Sequence, residues 1–128
     1  MPAPSVPGTP LRQTAERIVA GEDRLVAVRD FLDQVPRRTS EELATMIEEE
    51  PQVTGDGQAD ALLAAIAEHV AIRHDLGVPR WALQQSRFLD RFWFVSPTRG
   101  FRAIALVQTP IALKRRGIFW PERSMERV

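Results

Sequence analysis

A chain of 128 residues with 44% hydrophobic side chains has room for one folded domain and is too short for two ordinary ones. The absence of cysteine excludes disulfides, thiolate metal sites and thiol catalysis, and no apolar run reaches the length of a membrane span. The zero net charge conceals a division: residues 1 to 78 carry seven basic against fourteen acidic side chains, and residues 79 to 128 carry ten against three. The basic residues are nearly all arginine, Lys114 being the one lysine, and every aromatic except Phe31 lies in the second half.

In chain order, residues 1 to 8 hold three prolines and a glycine and read as a disordered lead-in. They lack the basic and apolar regions of a secretory signal, so a cytoplasmic address is expected. Thr9-Pro10 has the pattern of an N-cap and a first helical residue, opening a helix to about Ala20 that Gly21 stops. A second helix spans about 22 to 34, with Leu25, Val28, Phe31 or Leu32, and Val35 at helical spacing. Thr39 with Glu42 has the spacing of a capping box before Leu43, Met46 and Ile47. The clearest element is a helix from about 58 to 76, striped by Leu62, Leu63, Ile66 and Val70 and interleaved with alanines, which predicts a central helix closely approached by its neighbours.

From Pro79 the pattern is less regular. Residues 79 to 83 suit a short helix, whereas periodicity assigns Phe88-Leu-Asp-Arg-Phe-Trp-Phe94 to neither helix nor strand. Ser96-Pro97 and Thr109-Pro110 repeat the N-cap and first-turn signal. The first opens a helix through Phe101, Ile104, Ala105 and Leu106; the second opens one that ends in Lys114-Arg-Arg-Gly117, where a helix C-terminus favours cations. The tail holds one last turn or none. The expected fold is all-α: a compact bundle of about five to seven helices over residues 9 to 128, with a short irregular aromatic segment near 87 to 95.

Histidines come first among candidate sites. His69 and His74 are five residues apart on the central helix, about 500° of rotation, so their side chains diverge by roughly 140°. A metalloprotease helix needs them four apart on one face. They read as structural, and Asp56, Asp60 and Glu68 as ordinary helix acids; neither a cofactor nor a metal is expected. Residues 87 to 94 read either as a core plug, with Asp90 pairing locally to Arg87 or Arg91, or as an interface anchor of the Trp, Phe and Arg residues that carry binding energy. Lys114, Arg115 and Arg116, with Arg99, Arg102, Arg123 and Arg127, either form a basic surface for an acidic protein or nucleic acid, or neutralise the acidic first half within the fold.

Several phrases together carry a resemblance: Ile18-Val-Ala-Gly-Glu-Asp23, Asp60-Ala-Leu-Leu-Ala-Ala-Ile-Ala-Glu-His69, Val78-Pro-Arg-Trp81, Arg87-Phe-Leu-Asp-Arg-Phe-Trp-Phe94 and Lys114-Arg-Arg-Gly-Ile-Phe119. Over residues 11 to 128 the chain resembles a family of small actinobacterial proteins similar to domains found behind repressor-type helix-turn-helix modules or beside nucleotidyltransferase-type toxin genes. The resemblance implies an antitoxin-like or regulatory role and supplies no catalytic residues. The leading expectation is a non-enzymatic module that binds a protein partner, such as a cognate toxin. Arg87, Phe88, Arg91, Phe92, Trp93 and Phe94 would be its anchors, and Lys114, Arg115 and Arg116 its steering charge. A nucleic-acid-associated regulator using the basic half is the alternative, weakened by the lack of a separate helix-turn-helix segment. A small enzyme using His69 and His74 is the third. No membrane partner is expected, and self-association is left open.

Overall fold

A computed structural model of the protein describes residues 8 to 125. Residues 1 to 7 of the expected lead-in, and Arg127, lie outside the described residues, whereas Gly8 packs against Met46. The described residues form seven α-helices: α1 (Leu11–Val19), α2 (Arg24–Gln34), α3 (Ser40–Glu48), α4 (Gly57–Arg73), α5 (Arg102–Gln108), α6 (Ile111–Lys114) and α7 (Glu122–Met125). Short 3-10 turns occupy Val35–Arg37, Arg80–Leu83, Gln85–Arg87 and Arg99–Phe101. The all-α expectation holds.

Local chemistry starts and stops these helices. The Asp23 carboxylate accepts the Leu25 and Val26 amides at the head of α2, and Thr39 and Glu42 close the expected capping box on α3. Asp56 caps α4 through the Gln58 amide. Helix α4 ends at Arg73, earlier than expected. His74 leaves the helical path, Asp75 takes the left-handed conformation (φ 54°), and the Leu76 amide reaches back to the Ala71 carbonyl at 2.8 Å. Asp75 therefore does what Gly77 was expected to do, because a short polar side chain tolerates that backbone.

Three expected caps are corrected. Thr9 does not cap α1: the Gln34 amide group grips its backbone, Thr9 N donating to Oε1 at 2.8 Å and Nε2 donating to the Thr9 carbonyl at 2.9 Å. Pro10 takes the N-cap place, with no side-chain bond. Thr109 turns backward, its hydroxyl donating to the Ala105 carbonyl at 2.5 Å, so it closes α5 and does not open α6. Ser96 likewise caps no helix; the helical path begins after Thr98.

Helix α4 is the axis of the molecule. Residues 59 to 68 are buried on every face, with Val70 and Ala71, and its alanines admit close neighbours. Around it pack α1, α3, α6 and the turns of residues 80 to 87. Trp81 locks one of those turns to α3 by donating its indole N–H to the Ile47 carbonyl at 3.0 Å. The aromatic segment bends at residues 88, 90 and 91 and leads into a two-residue strand, β1 (Trp93–Phe94), which pairs in parallel with β2 (Ile118–Phe119), Trp93 opposite Ile118 and Phe94 opposite Phe119. A parallel pair needs a crossover, and here the crossover carries α5 and α6.

Candidate interaction surface

Arg87, expected as an interface anchor, and Arg116, expected as steering charge, both point inward and are not on the surface. Arg87 is 2% exposed; its guanidinium donates to the Asp60 carbonyl at 3.2 Å and the Pro51 carbonyl at 2.8 Å, lies 3.6 Å from the Glu50 carboxylate and sits over the Trp81 ring. Asp90 is therefore not its partner. Arg116 is 1% exposed and donates to the Glu68 carboxylate, to the Ala112 carbonyl at 2.8 Å and to the Ala82 carbonyl at 2.7 Å. Arg115 donates to the same Glu68 oxygen at 2.8 Å, and Phe88 lies within cation–π reach of both guanidiniums. Burial pushes the Arg116 pKa below its ordinary value, and the Glu68 carboxylate opposes that fall. Part of the charge division is thus answered inside the fold.

The remaining anchors divide. Trp93 is half-buried with the Arg24 guanidinium 4.4 Å above its ring, and Phe94 is half-buried and stacked on Phe119 at 4.8 Å. Phe92 packs edge-on to Phe119 and stays 76% exposed, and Arg91 is exposed beside it in the chain. Lys114 is half-buried, its ammonium 3.4 Å from the Val107 carbonyl. The segment is part core and part surface.

The more prominent surface was missed in the sequence. From 97 to 108 every residue except Ala105 is exposed. Phe101, Ile104, Leu106 and, beyond α5, Ile111 are between 42% and 63% exposed, and Val107 reaches 77%. At about 100° per residue, the apolar side chains of α5 surround its axis, leaving Arg102 and Gln108 as its polar positions. A helix apolar on all sides is normally covered on all sides; this one meets the core through Ala105. The clue in the sequence was that apolar ring.

Beside α5 lies a hole of about 260 Å³ walled by Leu25, Phe94, Phe101, Phe119 and Trp120, with Arg29 at its edge. Arg29 is the one charged side chain of its lining. Residues 91 to 121 contain Arg91, Arg99, Arg102, Lys114, Arg115 and Arg116 and no acidic residue.

The histidines occupy a different place. The 140° divergence expected for them does not keep them apart, because α4 ends at Arg73 and His74 turns off the helix. Both line a cleft of about 460 Å³ with Leu32, Val70, Arg73 and Glu122. Desolvation by burial lowers the His69 pKa from its ordinary value, against the attraction of Glu122. Arg73 and Glu122 are ion-paired with each other. Among the described residues no group of three or more His, Asp or Glu side chains could hold a metal ion, and no described helix is long and apolar enough to cross a membrane.

Comparison with family models, curated proteins and solved structures gave no match.

Proposed function

We propose that the protein is an interaction module that engages a protein partner through α5 and its arginine rim, in the manner of an antitoxin-like subunit that neutralises or regulates a partner enzyme. The single observation that supports this reading is the uncovered apolar helix α5. Contiguous exposed apolar surface of this kind marks interaction sites. Completing the burial of five half-exposed side chains contributes on the order of 4–7 kcal/mol. That only matches the lower end of the roughly 4–15 kcal/mol cost of association, so the rim and the hole beside α5 must add to it.

The nucleic-acid reading has less support. Arg87 and Arg116 are buried and Arg115 is engaged by Glu68, which leaves Arg80, Arg91, Arg99, Arg102, Lys114 and Arg123 among the described residues of the basic half, with Arg91, Arg99 and Arg102 set among large apolar side chains. A phosphate backbone has no use for Phe101, Val107 or Ile111.

The test is retention of a partner from native lysate after nuclease treatment, across a salt series, by the tagged protein and by Val107→Asp and Ile104→Asp. Both changes lie on exposed positions and should leave the melting temperature within a degree or two. A stoichiometric protein held by the parent and lost by both variants supports the reading. Equal retention by the variants, or recovery of nucleic acid or lipid alone, overturns it.

A further inference from the structure

The hole beside α5 has a narrower purpose: we infer that it seats one bulky apolar side chain from an acidic peptide segment of the partner. This rests on the interaction reading above and assigns the chemistry of what is bound. At about 260 Å³ the hole falls below the range of roughly 300–1,000 Å³ in which drug-sized ligands sit. It suits a single side chain. Four aromatic walls, Phe94, Phe101, Phe119 and Trp120, present ring faces and edges to whatever enters.

Its polar edge selects the neighbours of that side chain. Arg29 donates its Nε to the Ser124 carbonyl at 3.2 Å and lies over Trp120 at 5.4 Å. Its terminal guanidinium nitrogens have no partner among the described residues, so they remain as donors for a carboxylate. Arg99 and Arg102, exposed on the adjoining turn and helix, have no ion pair among the described residues. Because residues 91 to 121 lack any acid, the same face of a second copy of the chain is a poor occupant. A two-fold contact through this face would set arginine against arginine. Glutamate or aspartate beside the inserted residue would meet all three guanidiniums.

The probes are three blocked pentapeptides, Glu-Glu-Phe-Glu-Glu, Lys-Lys-Phe-Lys-Lys and Glu-Glu-Ser-Glu-Glu, followed by the NMR shift of the Trp120 indole N–H. Only the first should give a saturable shift. Ala105→Leu, which extends a wall residue into the hole, should weaken that binding at least tenfold, and Arg29→Gln should weaken it severalfold. Ser96→Leu fills the same hole from the opposite loop and serves where Ala105→Leu lowers the melting temperature. Equal shifts from all three peptides, no shift from any, or wild-type binding by both filled variants overturns the seat. A Trp120 shift with phosphatidylserine vesicles and none with peptide overturns it also, in favour of a lipid surface. If the filled variants keep the lysate partner that Val107→Asp loses, the seat is wrong and the interaction surface stands; if Val107→Asp also keeps it, both fall.

Discussion

Glu68 receives two guanidiniums on one buried carboxylate oxygen, and that arrangement fixes what removing it must do. Glu68→Gln strands the Arg116 charge in the interior, a change expected to cost about 3–5 kcal/mol in urea denaturation. Replacing both partners, Glu68→Leu with Arg116→Met, should recover most of the loss, since an apolar pair of similar volume is often neutral or better. A single variant within 1 kcal/mol of the parent would contradict this account. His69 makes the second residue-scale prediction. Its folded pKa lies below the ordinary 6.5 because burial disfavours the imidazolium. The unfolded chain therefore binds the proton more readily, so the stability His69 contributes is present above the ordinary histidine pKa and is lost as pH falls toward the folded value. Thermal midpoints measured from about pH 7 to pH 5 should fall more steeply for the parent than for His69→Gln, and parallel curves would refute the assignment. Neutralisation of the acidic half within the fold was one of the readings open for Lys114 to Arg116, but the pairing itself was not legible. Glu68 and Arg116 meet across 48 positions of sequence, and periodicity reports only which face of its own helix a residue occupies.

At the scale of elements, legibility followed the range of the forces involved. The Thr39–Glu42 box and the alanine-lined α4 were readable because their determinants lie within a few residues. The threonine–proline signals were displaced for a common reason. Pro10 and Pro110 have the extended ψ of an N-cap, 154° and 148°, and so stand just before their helices and not inside them. The preceding threonines are then claimed elsewhere, Thr9 by Gln34 and Thr109 by the carbonyl that ends α5. Residues 88 to 94 resisted assignment because their conformation is set by pairing with a strand some 25 residues away, with the Leu89 amide on the Arg116 carbonyl at 3.1 Å and the Trp93 amide on the Gly117 carbonyl at 2.7 Å. Helix α5 was located approximately, but its exposure was not: the same apolar residues serve a core or an interface, and only the surroundings distinguish them.

In the whole molecule the acidic and basic halves are not separate bodies. Arg87 and Arg116 of the second half enter the α4 core of the first, while Arg24 and Arg29 of the first lie over Trp93 and Trp120 of the second. A cooperative unit should result. Tryptophan fluorescence reports the surroundings of Trp81, Trp93 and Trp120, all in the second half of the chain, whereas far-ultraviolet dichroism is dominated by α1 to α4. In urea the two signals should follow one coincident transition; separated midpoints would show that the halves unfold independently. The two-residue bridge between β1 and β2 has a different consequence. It fastens both ends of the excursion that carries α5, and α5 itself commits only Ala105 to the interior. Its outward residues are thus released from the demands of folding, so descendants of this sequence can exchange them, and an engineer can graft others, while the scaffold is inherited unchanged.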